Sequence, residues 1–167
     1  CQISLLITQL KTRERIDCVT YPVYENNRLA NNIGTEYFAK LSQDLSRPFY
    51  NKATQQLTAP GSTFKIVTAV AGMEEGIVDS NYGVICGGRF DKIPNVPYCC
   101  NRSGHGYMNV VSGITNSCNV FMGQVAYDLG TDENGSFSDS LGIDKLQKYA
   151  NMFLLNEKSG LEITEVS

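Results

Sequence analysis

The fold of this chain is decided by residues 59–76, which read APGSTFKIVTAVAGMEEG. The stretch opens on Pro-Gly and closes on Gly76, residue types that mark the start and the end of a helix. Between residues 64 and 73 the only charge is Lys65, and apolar side chains cover most of the circumference. We therefore predict a helix over Ser62–Glu75 that is buried nearly all round.

Ser62 and Lys65 lie three residues apart in this helix, so their side chains share one face. Both belong to the first turn, where free backbone N–H groups and the helix dipole favour a developing anion. Burial lowers the pKa of a lysine until its amine can accept a proton. The pair predicts a serine nucleophile with a lysine base. Its simpler interpretation is a capping serine with a solvated lysine nearby.

A second polar motif, Ser117-Cys118-Asn119, lies between two predicted helices at residues 109–116 and 120–129. An S-x-N triplet brings a hydroxyl and an amide close together in a turn. The alternative is an ordinary helix–helix turn in which Asn119 is the N-cap. We predict that this turn faces the same cleft as Lys65.

The other patterns mix strands with helices, which indicates an α+β fold. Two alternating apolar runs at the start predict a hairpin, and two further segments have helical periodicity. The elements and loops expected from these patterns are strands at Ile3–Ile7 and Ile16–Tyr21, helices at 36–45 and 143–153, an irregular loop at 21–34, a long ordered loop with short strands at 79–107, a loop at 131–140, and a turn and strand at 157–163.

Bulk composition is that of a globular domain. The chain has 167 residues with 42% hydrophobic and 19% charged residues and a net charge of −3, so no nucleic-acid partner is expected. No apolar run is long enough to cross a bilayer, and no signal peptide opens the chain. Because it starts at Cys1 and ends without an obvious stop, we interpret it as an excerpt from a longer protein.

Six cysteines leave three possibilities open: Cys1, Cys18, Cys86, Cys99, Cys100 and Cys118. Zinc held by Cys86, Cys99, Cys100 and His105 has an unusual spacing, so no metal site is predicted. A disulfide from Cys86 to Cys99 or Cys100 is favoured outside the cytoplasm. The remaining thiols are expected to be free and buried, with Cys118 pointing into the core and His105 bracing its loop.

Four segments resemble the penicillin-binding proteins. Residues 53–65, ATQQLTAPGSTFK, closely resemble their active-serine region, in which P-G-S-T-F-K is a hallmark. The other three are YPVYENNRLAN at 21–31, similar to the loop after the first strands, RPFYNKA at 47–53, similar to the P-L-x-N-R-A lead-in, and GHG at 104–106 with NSCNVF at 116–121, similar to the approach to the second motif. The resemblance covers essentially the whole chain and is nearest to the monofunctional class B transpeptidases.

This resemblance implies an incomplete serine β-lactamase/penicillin-binding-protein-like fold over residues 1–167, with the helical part and the first sheet strands. It implies that Ser62 attacks the penultimate D-Ala carbonyl of a peptidoglycan stem peptide and that Lys65 is its base. Ser117 would relay a proton, and Asn119 would hold the substrate amide. The Ser62 N–H would supply half of the oxyanion hole. No cofactor is implied.

The resemblance also implies partners and a location. Stem peptides would be substrates, β-lactams would be inhibitors, and the parent would act with the cell-wall synthesis and division machinery at the extracytoplasmic face of the membrane. An alternative enzyme hypothesis is a serine β-lactamase or D,D-carboxypeptidase, which share the first two motifs. A third hypothesis, from another class, is a β-lactam sensor that is acylated but transmits a signal.

Several residues depart from the family pattern. Lys158-Ser159-Gly160 spells the third motif but has the setting of the family's T-G-I-E-L segment, so we interpret it as a decoy. The third-motif strand would then be absent, and the chain alone would be catalytically weak. Arg13 stands where the first hairpin usually has glycine, and Asp17 where a small apolar residue is usual. Leu154 and Asn156 replace common glycines.

Overall fold

A computed structural model describes residues 2–12, 14–30, 34–95 and 98–160 of the chain. The chain divides into two compact units. The first, which we name the hairpin unit, comprises Cys1–Thr58 with Lys158–Ser167, and the second, the helical unit, comprises Ala59–Glu157.

The hairpin unit begins with the predicted antiparallel pair. Strand β1 spans Ile3–Thr8 and strand β2 spans Arg15–Tyr21, with Leu5 opposite Val19. Every residue of β1 is exposed, whereas Cys18 and Thr20 of β2 are half-buried, and Thr20 Oγ1 accepts the backbone N–H of Lys52 at 3.3 Å. The hairpin is confirmed, while Arg13 lies outside the described residues.

Three short helices complete the hairpin unit: α1 over Asn27–Ala30, α2 over Thr35–Gln43 and α3 over Lys52–Gln55. Helix α2 matches the predicted helix, and it ends two residues early because Asp44 is extended. The single-turn helices α1 and α3 were not predicted, since four residues are too few to show a period. Asn51 caps α3 by accepting the Ala53 N–H at 3.1 Å.

The helical unit packs four helices around one core, with a two-stranded sheet beside them. Its elements are a 3₁₀ helix at Gly61–Phe64, α4 at Lys65–Glu74, β3 at Val84–Cys86, β4 at Gly106–Met108, α5 at Val110–Thr115, α6 at Asn119–Leu129 and α7 at Asp139–Met152. Strands β3 and β4 are antiparallel. They supply the short strands predicted inside the 79–107 loop. Helices α5, α6 and α7 match the predicted segments within a few residues.

Close approach between α4 and α6 depends on a small residue. A Cβ added at Gly72 would lie 2.6 Å from Val125 Cγ1, inside van der Waals contact. At the end of α4, Glu75 accepts hydrogen bonds from Lys148 Nζ at 2.9 Å and Tyr149 Oη at 2.8 Å, which ties α7 to α4. The C-terminal half of α4 is thereby held by packing against α6 and by the ion pair and hydrogen bond from α7.

Helix α4 is buried on one face only. Val67, Ala69 and Ala71 are buried, but Ile66 is 53% exposed and Met73 is 44% exposed. The predicted burial nearly all round is therefore wrong for this helix. The cause is that α6 and α7 pack against one face, while no described element of the helical unit covers the other. Part of the uncovered face lines an apolar groove of about 240 Å³ with Phe64, Ile66, Phe153 and Leu155.

Three helices end with the same backbone motif, in which a residue with positive φ follows the C-cap. These residues are Gly76 after α4 (φ +72°), Ser117 after α5 (φ +48°) and Leu154 after α7 (φ +59°). In each case the N–H groups of this residue and the next return to carbonyls of the last turn. Gly76 confirms the predicted glycine stop, and the other two positions carry a side chain in a conformation that glycine prefers.

Residues Lys158–Gly160 are exposed and form no strand in the part of this segment that the structure describes. The rest of the predicted turn and strand at 157–163 lies outside the described residues. None of the described helices is both long enough and apolar enough to span a membrane.

Candidate active site

Ser62 lies at the second position of the 3₁₀ helix and is exposed. The α-helix proper begins three residues later, at Lys65. The predicted helical face is therefore built from one 3₁₀ turn followed by α4. Thr63 stabilises the turn by donating its hydroxyl to the Pro60 carbonyl at 2.6 Å.

Ser62, Lys65 and Ser117 are joined in one chain of hydrogen bonds. Lys65 Nζ donates to the Ser117 carbonyl at 2.6 Å and to Ser117 Oγ at 2.8 Å. Ser117 Oγ in turn donates to Ser62 Oγ at 3.0 Å. The two motifs that the sequence singled out thus face each other, and the link from Lys65 to Ser62 runs through the Ser117 hydroxyl.

Burial lowers the pKa of the Lys65 amine from its ordinary value. The negative charge that the thiols of Cys99, Cys118 and Cys100 would carry as thiolates opposes this effect without reversing it. A lowered pKa increases the fraction of neutral amine near pH 7. Lys65 therefore has the electrostatic setting of a general base, with a serine hydroxyl in direct contact.

Asn119 is the first residue of α6 and is half-buried. The N-cap is Cys118, whose Sγ accepts the Phe121 N–H at 3.4 Å, so the capping role considered for Asn119 falls to its neighbour. Asn119 Nδ2 donates to the Tyr98 carbonyl at 2.8 Å. This bond fixes the amide plane and leaves Oδ1 available to accept a substrate N–H. The importance of Tyr98 here had no signal in the sequence.

Three buried thiols and one imidazole meet behind the S-x-N turn. Donor atoms of Cys86, Cys99, Cys118 and His105 all lie within 4.8 Å of one another. Cys86 Sγ is 3.6 Å from Cys99 Sγ and 3.6 Å from His105 Nδ1. Among the described cysteines, Cys86, Cys99 and Cys100 are free thiols, so the disulfide considered from Cys86 to Cys99 or Cys100 is not formed.

Backbone N–H groups surround these sulfur atoms. Cys99 Sγ accepts from the N–H groups of Asn119 at 3.1 Å and Val120 at 3.4 Å, at the start of α6. Burial alone would raise the pKa of the Cys86 thiol, but hydrogen bonds from the backbone of His105 and Gly88 outweigh it and lower the value. Burial raises the pKa of the Cys118 thiol. The pKa values of these two neighbouring thiols therefore shift in opposite directions.

The four residues could hold a metal ion, and a three-thiol, one-imidazole set is the composition that Zn²⁺ favours. The zinc set considered from the sequence contained Cys100 instead of Cys118, and its unusual spacing disfavoured a metal. Cys100 is exposed in the structure, and Cys118 takes its place in the cluster, contributed from 18 residues further along the chain. The absence of a metal stays a prediction that metal analysis must test. His105 does brace its loop, with Nε2 3.7 Å from Cys100 Sγ.

Comparison with known proteins assigns this chain to a family. Residues 3–167 match the penicillin-binding protein transpeptidase domain. This chain belongs to the penicillin-binding protein transpeptidase family. The hydrogen bonds join Ser62, Lys65 and Ser117, the residues for which the motif resemblance predicts the roles of nucleophile, base and proton relay.

Several relatives of this transpeptidase-family chain are named peptidoglycan D,D-transpeptidases. It is 29% identical over 165 residues to the peptidoglycan D,D-transpeptidase MrdA of Haemophilus influenzae, covering 97% of this chain and 23% of the relative. The chain therefore spans about a quarter of that protein's length. It also resembles Pseudomonas aeruginosa PBP2 in complex with WCK 5153, with a TM-score of 0.78, 26% identity, and coverage of 98% of this chain and 35% of that chain.

A third similarity is to a chain from a structure of a peptidoglycan synthase complex that addresses the coordination of polymerization and crosslinking. The TM-score is 0.81 and the identity 27%, with 98% of this chain and 27% of that chain covered. The α+β penicillin-binding-protein fold predicted from the sequence is confirmed, and the part present here corresponds to a fraction of each relative.

Proposed function

We propose that this chain carries the acylation centre of a peptidoglycan D,D-transpeptidase. The observation that supports the proposal is the continuous link from Lys65 Nζ through Ser117 Oγ to Ser62 Oγ, with steps of 2.8 Å and 3.0 Å. Both steps are within the range for proton transfer along hydrogen bonds. The link connects a base of lowered pKa to an exposed hydroxyl.

In the first half-reaction Ser62 Oγ bonds to the penultimate D-Ala carbonyl carbon. The Ser62 proton passes to Ser117 Oγ, and the Ser117 proton passes to the neutral Lys65 amine. The carbonyl oxygen becomes an anion that the Ser62 N–H can stabilise at the start of the helix. When this intermediate collapses, the C–N bond breaks and the leaving D-Ala nitrogen takes a proton back from Lys65 through Ser117.

In the second half-reaction an amine on a neighbouring stem peptide attacks the ester carbonyl. Its proton moves to Lys65 along the same route, and Ser62 Oγ leaves with a proton restored. Asn119 Oδ1 is positioned to accept a substrate N–H, since its Nδ2 is already bonded to Tyr98. Hydroxyl hydrogens rotate freely, so the chain of hydrogen bonds can reverse direction when Lys65 loses its proton.

Partners and location follow from this reaction. We infer that stem peptides are the substrates, that β-lactams acylate Ser62, and that the protein works with cell-wall synthesis and division machinery at the extracytoplasmic face of the membrane. The similarity to a chain of a peptidoglycan synthase complex supports the association with such machinery.

The test uses the full-length protein that contains this chain, treated with a fluorescent penicillin. Labelling is expected to be abolished by Ser62→Ala and kept by Ser80→Ala, an exposed serine of the same unit that serves as the matched control. Equal labelling of wild type and Ser62→Ala protein would refute the assignment.

The lifetime of the labelled protein then separates the rival functions. A transpeptidase or sensor retains the acyl group for a long time, whereas a β-lactamase releases it within seconds. Cross-linking of stem peptides in vitro distinguishes the transpeptidase from the sensor, because only the transpeptidase forms the cross-linked product.

A further inference from the structure

We propose that Tyr98 and Arg102 form a carboxylate-binding surface beside Asn119, and that this surface recognises an acidic group of the substrate peptide. The inference rests on the proposed transpeptidase function and adds specificity residues to it. Its starting point is that the Tyr98 carbonyl accepts the Asn119 amide at 2.8 Å, which places Tyr98 next to the residue expected to hold the substrate backbone.

The Tyr98 ring is open to a ligand. The residue is 48% exposed, although the neighbouring Cys99 is almost fully buried. Burial of Cys99 anchors the backbone, and the exposed ring then extends from a fixed point. An aromatic ring anchored in this way can pack against the aliphatic part of a bound peptide while charged groups around it make polar contacts.

Two guanidinium groups flank this ring. Arg102 Cζ lies 5.0 Å and Arg89 Cζ lies 5.5 Å from the ring centroid, within cation–π range. Arg89 is also paired with Asp91 at 2.5 Å. Arg102 has no carboxylate partner among the residues that the structure describes. Its charge is therefore available to a ligand, and stacking on Tyr98 reduces the entropy lost when it binds.

The backbone that carries Arg102 is held rigidly. A Cβ added at Gly88 (φ +90°) would lie 2.1 Å from the Arg102 carbonyl oxygen, so the two loops touch. The Cys99 N–H donates to the Gly88 carbonyl at 3.0 Å. Asn101 Nδ2 donates to the Gly104 carbonyl at 2.7 Å, which closes the turn around Arg102. The surface is thus preorganised before any ligand arrives.

The chemistry of the surface selects a carboxylate. The planar guanidinium of Arg102 presents paired donors that match a carboxylate, and such charge-assisted bonds are stronger than neutral ones. By the family resemblance the C-terminal carboxylate of the substrate belongs to the third motif. A protein side chain beside Asn119 would instead contact the peptide residue next to the amide that Asn119 holds. We therefore assign to Arg102 a free carboxylate on the peptide upstream of its D-Ala-D-Ala end.

The experiment compares two synthetic peptides that end in D-Ala-D-Ala, one with a free carboxylate on the preceding residue and one with that carboxylate amidated. Binding is measured by calorimetry on full-length Ser62→Ala protein, so the result does not depend on turnover. The free acid is expected to bind about tenfold more tightly than the amide, the size of a charge-assisted hydrogen bond at a partly exposed site.

Adding Arg102→Ala should remove this preference by weakening the acid about tenfold and leaving the amide unchanged. Arg102→Lys should keep part of it. The matched control is Arg28→Ala, because Arg28 also stacks on a tyrosine, with its Cζ 3.8 Å from the Tyr37 centroid, but belongs to the hairpin unit.

Equal affinity of the two peptides for the starting protein, or equal weakening of both by Arg102→Ala, would overturn the inference. Fluorescent penicillin labelling of wild-type protein is recorded in parallel. Failure of labelling counts against the proposed function, whereas a missing acid preference counts against the Arg102 surface alone. Thermal unfolding of each variant excludes loss of fold as the cause.

Discussion

At the scale of single residues, the side chain and the backbone of Ser117 favour different residue types. Its hydroxyl connects Lys65 to Ser62, yet its backbone has φ +48°, a conformation that costs a residue with a Cβ about 1 kcal/mol. Such strain is common where function requires a particular side chain. The helix end is formed by the Ser117 and Cys118 N–H groups, which return to the last turn of α5. Glycine would fit this backbone better and could not do the chemistry.

We predict that Ser117→Gly and Ser117→Ala both lose penicillin labelling but differ in stability. Both remove the hydroxyl, and only alanine keeps the strained Cβ, so the glycine variant should be more stable by about 1 kcal/mol. Thermal or urea unfolding measures the difference. An alanine variant at least as stable as the glycine variant would show that the backbone at this position is not strained.

The Lys65 base predicts a pH dependence of acylation. Burial lowers its pKa, and only the neutral amine accepts the Ser62 proton. The neutral fraction grows as pH rises through that pKa, so the acylation rate should rise with pH and level off above it. Penicillin labelling rates between about pH 6 and pH 10 give the profile. Lys65→Arg keeps a charge that does not titrate in this range, and it should be slow at every pH. A flat wild-type profile would contradict the role of Lys65.

At the scale of elements, the cluster of Cys86, Cys99, Cys118 and His105 joins the start of α6 to the end of β3 and to the segment between β3 and β4. The cluster lies directly behind the S-x-N turn, because Cys118 is the middle residue of the motif. A metal ion bound there would fix the positions of Ser117 and Asn119 through the shared backbone. Without a metal, three closely packed thiols would hold the same elements much more weakly.

We predict that the full-length protein purified without chelators contains about one Zn²⁺ per chain, the stoichiometry of a four-ligand site. Cys118→Ser and Cys86→Ser should each lose most of the metal, measured by mass spectrometry of the digested protein. Cys100→Ser and Cys18→Ser should retain it, since neither residue belongs to the cluster. Zinc-free wild-type protein that is fully folded and labelled would refute the site and support the sequence prediction of no metal.

Helices α4 and α7 end on the same positive-φ motif, with Gly76 at this position after α4 and Leu154 after α7. Substitutions at these two positions can therefore be compared directly. Leu154 has φ +59° and is 61% exposed, so its side chain contributes little packing to offset the strain. Leu154→Gly should raise the free energy of unfolding by about 1 kcal/mol, which is about 2–4 °C in melting temperature for a domain of this size.

Gly76→Ala, at φ +72° after α4, should lower the free energy of unfolding by a similar amount. The two substitutions change the Cβ in opposite directions at equivalent positions. If both variants moved the melting temperature the same way, the shared motif would not be the cause.

At the scale of the whole molecule, each unit leaves apolar surface uncovered in its described part. The hairpin unit exposes Leu5 and Leu6 on β1, and the helical unit exposes Ile66 beside the groove of about 240 Å³. Apolar surface of this extent is usually covered in a stable protein. The described residues also supply no strand for the third motif of the family, since Lys158–Gly160 are exposed and irregular.

We predict that the 167-residue chain expressed alone binds penicillin about 10²–10³ times more slowly than the full-length protein, the effect of losing one oxyanion donor. It should also bind an apolar dye such as ANS strongly. The two proteins are compared with the same fluorescent probe. Full-rate labelling of the short chain would mean that Lys158-Ser159-Gly160 serves as the third motif and that the decoy interpretation is wrong.

The sequence by itself determined the family and all the longer elements, but not the single-turn helices α1 and α3. The hairpin, the helices from α4 to α7 and the Gly76 stop all follow from local periodicity and turn residues, and the motifs around Ser62 and Ser117 identified the family. These features are local because each depends on residues within a few positions of one another.

Only the tertiary structure decided how distant residues combine. In the structure, Ser117 Oγ bridges Lys65 and Ser62. The thiol cluster contains Cys118 and not Cys100, and one face of α4 is uncovered in the described part of its unit. Sequence spacing did not reveal these outcomes, because they depend on which surfaces pack together across tens of residues. Burial and close approach then set the pKa of Lys65 and bring together sulfur atoms that are far apart along the chain.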